Sequence, residues 1–143
     1  MTSPASDGCE QLARVADRLA DRGLPPRRFL RALAWNVARI RPGAFGILDL
    51  ASGGSNRVRG GGFRAEFDDG STGQPRHFVG VAVAPLFLGD RVARWAARHV
   101  LRDPEGSPDH ALSLVALEFS RALRVGSLSV GDAGAWIRER LAA

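Results

Sequence analysis

HFVGVAVAPLFL, residues 77–88, is the stretch that decides the fold, because it shows neither the alternation of a half-buried strand nor the single stripe of a surface helix. An element this apolar on every side belongs at the centre of a core, and after Pro75 its spacing reads as helix. It is too short to cross a bilayer and carries Pro85, which together with Gly89 should kink or end it. Working outward, Asp90 suits the N-cap of a helix to about Arg102, and Ser107-Pro108 opens another from Asp109 to Arg124. In that second helix Leu112, Val115, Ala116, Phe119 and Leu123 form a wide apolar stripe. A short last helix, about Asp132 to Leu141, offers Ala135, Trp136 and Leu141 to close the core.

On the N-terminal side, Leu12, Val15, Ala16 and Leu19 fall at helical spacing opposite a mixed-sign polar face, and Gly23 ends the pattern. Pro25 and Pro26 suit the first turn of a second helix, whose Leu30, Leu33, Ala34, Val37 and Ile40 continue the period until Pro42. Trp35 lies off that stripe beside Arg31 and Arg39, so it either packs on a neighbour or stacks on a guanidinium. Between 43 and 73 the period fails and glycines accumulate. There Phe63, Ala65 and Phe67 alternate with Arg64 and Glu66 as an edge strand would, although Phe63 and Phe67 are also four apart, as on a helix. The expected architecture is mainly α: a single compact helical domain, residues 1–143, of about five or six helices with a glycine-rich irregular or short β-hairpin insertion around 43–73.

Composition narrows the chemistry. With 143 residues, 45% hydrophobic and 24% charged, the chain has the size of one compact domain. The lone Cys9 can form no internal disulfide, which fits a reducing compartment, and the N-terminus has neither the basic nor the apolar region of a secretion signal. A soluble, unprocessed, cytoplasmic protein with no membrane span is expected. All 20 basic residues are arginine, which gives a net charge of +5 without a single lysine. Schiff-base chemistry, the usual seat for pyridoxal phosphate and a Walker A loop are therefore closed, and with no tyrosine so are phenolic acid–base roles. No cofactor is expected. Asp, Glu, His, Ser, Thr, Cys9 and Arg remain.

The candidate site adjoins the apolar helix. Within twelve residues, EFDDGSTGQPRH supplies Glu66, Asp68, Asp69, Ser71, Thr72, Gln74, Arg76 and His77. Polar groups this dense beside a buried element cost free energy unless they satisfy one another or a ligand. An imidazole in the first turn of a buried helix favours its neutral, proton-accepting form, which suits His77 as a general base. Glu66, Asp69 or Asp109 could orient the ring, and Arg76 with free backbone N–H groups could hold an anion. The plainer alternative is that Asp68, Asp69, Gly70, Ser71 and Gly73 are turn formers and that His77 packs locally.

The run D-x-x-x-x-Q-x-R-H-F, carried by Asp69, Gln74, Arg76, His77 and Phe78, resembles one in a group of small uncharacterised bacterial proteins. There too a glycine-containing apolar helix follows and a D-x-x-L segment comes later, matched by Asp109 and Leu112. The resemblance implies no activity, but it groups Gln74, Arg76, His77 and Asp109 as residues to test together.

Two arginine clusters offer anion sites: Arg57 and Arg59 in the glycine-rich stretch SGGSNRVRGGG, and Arg94 and Arg98 on the helix after Asp90. No phosphate-loop or nucleophile-elbow fingerprint supports the first, and no aromatic stacking platform accompanies the second, which disfavours a nucleic-acid partner. His99 and Asp103 are four apart, but two ligands do not make a metal site, and none is expected. The leading expectation is a small metal-independent, hydrolase-like acid–base site centred on His77 and Arg76, acting on an anionic small molecule. The alternative is a helical module that binds a protein partner in signalling, conflict or immunity. A third is anion or nucleic-acid binding through the arginine face.

Overall fold

A computed structural model describes residues 7–41, 46, 49, 54, 55, 57–89, 91 and 106–143. Five α-helices of these residues form a compact bundle with no sheet: α1 (Gly8–Ala20), α2 (Pro26–Ala38), α3 (Gln74–Leu88), α4 (Pro108–Val125) and α5 (Ala133–Leu141). The helix expected from Asp90 to Arg102 lies outside the described residues, apart from Arg91.

The central element is α3, as its sequence requires. It packs against α2 on one side and α4 on the other, burying Phe78, Val79, Val81, Ala82 and Val83. Pro85 does not end it; the helix runs to Leu88 and stops at Gly89, where φ of +80° is a conformation glycine adopts without strain. Proline is tolerated so late because its missing N–H costs a single hydrogen bond near the end of the ladder.

Each flanking helix begins and ends for a local reason. The Asp7 carboxylate accepts from the Glu10 N–H at 2.9 Å and starts α1. Pro26 sits in the first turn of α2, which ends at Arg39 in a left-handed conformation, φ +53°. The same turn brings the Arg39 guanidinium to 4.6 Å from the Trp35 ring. Trp35 is 42% exposed, so of its two expected roles it takes the stacking one. The Ser107 hydroxyl accepts from the His110 N–H at 3.2 Å to start α4, and Gly126 closes it with φ +86°.

Phe78 of α3, Phe119 of α4 and Trp136 of α5 form a chain of tilted rings with centroids 5.1 and 5.0 Å apart, joining three helices. In α5 the buried face is Ala133, Gly134, Ile137 and Leu141, so Ala135, expected in the core, lies exposed on the other side. A turn of 3₁₀ helix at Val130–Asp132 precedes α5, whose buried face packs against α1.

Of the two forms expected for the 43–73 insertion, its described residues take the irregular one, and no β-hairpin forms among them. Phe63 makes one isolated antiparallel bridge with Ala142, and Ala65–Phe67 is a turn of 3₁₀ helix. Both phenylalanines still bury their rings, because four-residue spacing around a turn places them inward as well as alternation would. This segment is instead laced to three others. The Cys9 N–H donates to the Gly61 carbonyl (3.1 Å), Gly60 N–H to Thr72 (3.2 Å), Arg64 N–H to Leu141 (2.8 Å) and Ala143 N–H to Gly62 (2.8 Å).

Charge closes the bundle at α5. Arg138 reaches Glu10 at 3.0 Å and Asp17 at 2.9 Å on α1, and Arg140 reaches Glu118 of α4 at 2.8 Å. Hydrogen bonding to Arg138 is the main cause that holds the Glu10 carboxyl below its ordinary value of 4.5. A carboxylate whose pKa is depressed by folding adds stability that is fully present above the ordinary value and is lost as pH falls through the lower, folded one. Because the pair is partly solvated, the effect is modest. In acid titrations Glu10→Gln should therefore lose less stability below pH 4.5 than the wild type; equal slopes would show that the pair contributes nothing. No helix among the described residues is long and apolar enough to cross a membrane.

Candidate functional site

The segment leading into α3 is first a set of interlocked turns. The Asp68 carboxylate accepts from the Gly70 N–H at 2.8 Å, and Asp69 accepts from the Ser71 N–H at 2.9 Å and its hydroxyl at 2.6 Å. These are the short-range bonds by which aspartate replaces a backbone partner, with Gly70 supplying a φ of +82°. The turn-forming side of the expectation thus describes Asp68, Asp69, Gly70 and Ser71. Gln74 follows as the first residue of α3, 2% exposed, and its side-chain amide donates to the Phe67 carbonyl. That bond ties the 3₁₀ turn to the helix and occupies the Gln74 amide.

One helical turn into α3, His77 meets the start of α4. Its Nε2 lies 2.7 Å from the Ser113 hydroxyl and 3.2 Å from the Asp109 backbone carbonyl. The ring is partly buried and Ser113 is 1% exposed, so the Nε2 edge faces protein. The Asp109 side chain makes contact with the carboxyl of Asp69 across the gap between the turn and α4. Burial raises the pKa of Asp69, but hydrogen bonds from the Ser71 hydroxyl and N–H, with the Asp109 contact, outweigh it and hold the carboxyl below its ordinary value. The carboxyl pair faces the turn, while the imidazole's own partners are the Ser113 hydroxyl and the Asp109 backbone carbonyl.

The expected orienting carboxylate is not what holds His77: the ring meets Asp109 only through its backbone carbonyl, while the Asp69 and Asp109 carboxyls meet each other. Arg76, the residue before His77, is partly buried and makes no hydrogen bond or ion pair to a described residue. Glu66 is exposed on the 3₁₀ turn. Arg57 and Arg59 are exposed on the stretch that follows the end of α2, where the Arg57 N–H donates to the Val37 carbonyl at 3.1 Å. Arg94, Arg98, His99 and Asp103 lie outside the described residues.

Ser113 is the partner of His77 that sequence reasoning did not single out. Its signal was available: a hydroxyl set between Leu112 and Ala116 of an apolar stripe, four residues after Asp109, must find a partner if buried. Cys9, by contrast, leaves the set of reactive candidates. It is fully buried in α1, and burial, reinforced by Asp7 and Glu10, pushes its thiol up to about 12.

A shallow concavity of about 450 Å³ lies elsewhere, on the α1 face, lined by Gln11, Arg14, Val15, Asp17, Arg18 and Val58. Among the described residues no group of three or more His, Cys, Asp or Glu side chains is placed to hold a metal ion. No family model matches the chain, and comparison with curated proteins and with solved structures finds no match.

Proposed function

We propose that this protein is a small acid–base catalyst of the hydrolase type in which His77 exchanges a proton with the substrate. The observation that carries the reading is the His77 ring itself, anchored at 2.7 Å from the Ser113 hydroxyl at one edge while only partly buried as a whole. A base must be held in a fixed direction and still be reachable, and an imidazole fastened by one nitrogen between two helix starts meets both needs. The Asp69 carboxyl, held below its ordinary value and in contact with Asp109, lies on the turn that leads into the same helix. Arg76, on the preceding position of the same helical turn, offers a cation to an anionic substrate, and the start of α3, which has no side-chain cap, adds the positive end of a helix. Metal-independent hydrolysis of a small anionic ester is the reaction class that suits these groups.

The test is turnover on a panel of activated carboxylic and phosphoric esters by wild type and His77→Ala, with thermal unfolding of both as control. The variant should keep its fold and lose turnover, and Arg76→Ala should raise KM for anionic members more than for neutral ones. Equal turnover by wild type and His77→Ala, or none by either across the panel, sinks the reading.

A further inference from the structure

Ser113 invites reading as a nucleophile, since a serine hydroxyl 2.7 Å from an imidazole nitrogen is the arrangement of an activated alcohol. Two features of the site oppose this. Ser113 is 1% exposed on the interior of α4, so no substrate carbon can approach its oxygen without unpacking the helix. More decisively, the same Nε2 lies 3.2 Å from the Asp109 backbone carbonyl. A carbonyl oxygen can only accept, so a bare Nε2 would set lone pair against lone pair there, whereas an N–H at that position can donate to the carbonyl and the hydroxyl together.

We infer that the His77 proton resides on Nε2, that Nδ1 carries the basic lone pair, and that Ser113 is a positioning residue which holds the ring rather than a group the ring activates. The inference rests on the reading of His77 as the base and assigns which of its nitrogens does the work. It also gives the Asp109 position two distinct tasks. Its backbone carbonyl fixes the tautomer, as a hydrogen bond on one imidazole nitrogen does elsewhere, and its carboxyl meets Asp69. Ser113 contributes the shorter and more buried of the two contacts to Nε2, so its removal should free the ring while leaving the carbonyl in place.

Histidine-selective ¹⁵N labelling of the full chain tests this through the ring nitrogens. Above the titration of the imidazole, His77 should show one protonated nitrogen, Nε2, whose hydrogen exchanges slowly enough to give its own resonance. Ser113→Ala should lose that resonance to solvent exchange, and Ser113→Thr, which keeps the hydroxyl, should restore it. A ring proton found on Nδ1 overturns the inference, as does a wild-type His77 without any protected ring proton. If Ser113→Ala fails to fold, the wild-type spectrum alone decides. These readouts need no substrate, so loss of the catalytic reading through an unchanged His77→Ala turnover remains a separate result.

Discussion

Phe119→Ala is expected to destabilise the protein by about 3–5 kcal/mol, the usual cost of removing a fully enclosed aromatic ring. Phe119 has no exposed surface, and its ring stands 5.1 Å from that of Phe78 and 5.0 Å from that of Trp136. Truncation thus removes both aromatic contacts and leaves a void bounded by α3, α4 and α5, three helices that cannot all move inward without separating from α1 and α2. Against a total stability of about 5–15 kcal/mol for ordinary domains, that loss lowers the unfolding temperature by more than about 10 °C. Phe119→Leu, which keeps most of the volume, should cost less than half as much. Leu114→Ala, five residues earlier on the same helix but 49% exposed, should fall within about 0.5 kcal/mol of wild type. If Phe119→Ala and Leu114→Ala unfold at the same denaturant concentration, the aromatic chain is not the centre of the core.

The helices could be read from sequence because their causes are local. A cap such as Ser107, a stop such as Gly126 and an apolar period between them act within a few residues, and α4 follows them closely. HFVGVAVA announced its own burial for a related reason: nothing in it can face water without exposing apolar surface. Long-range causes were not legible. Phe63 pairs with Ala142 and not with a neighbouring strand, and the choice depends on where the C-terminus arrives after four other elements have packed. Which face of α5 is buried, and so the exposure of Ala135, depends likewise on its packing against the distant α1.

The site divides along the same line. His77, Asp69 and Asp109 were marked by chemical type and density, yet His77 meets Asp109 only through its backbone carbonyl, and Gln74, which carries the same kind of signal, spends its amide on the Phe67 carbonyl. Composition can say that a buried polar group must have a partner. Which partner it has, ligand or backbone, is decided by the register of α3 against the turn before it and α4 beside it. Ser113 shows the converse, a residue whose type is unremarkable in sequence and whose place against His77 exists only once α3 and α4 have met.

Gly8→Ala supplies the sharpest test of how the irregular segment holds the bundle, because its expected sign is opposite to the usual one. In the first turn of a helix, replacing glycine by alanine ordinarily stabilises by about 0.5–1 kcal/mol through the unfolded chain. At Gly8 a Cβ would lie 2.5 Å from the Gly60 carbonyl oxygen, 2.8 Å from its carbon and 2.9 Å from its nitrogen. These are backbone atoms, and the segment that carries them is fastened by hydrogen bonds from Cys9 to Gly61 and from Gly60 to Thr72. Accommodating the methyl group means pushing residues 60 and 61 away from α1 and stretching both bonds, so a net loss of about 1–3 kcal/mol is expected. Gly61→Ala is the matched control: no atom lies within 4 Å of its would-be Cβ and its φ is not in the left-handed region, so it should be neutral or slightly stabilising. Urea midpoints of the two variants decide the matter, and a Gly8→Ala midpoint at or above wild type would remove the close approach of α1 to Gly60. Since Thr72 precedes the start of α3 by only two residues, the same displacement should reach the turn that positions His77 and loosen a protected ring proton there. A Gly8→Ala protein that is less stable yet keeps that proton as well protected as wild type would show that residues 60–62 brace the bundle without bracing the site.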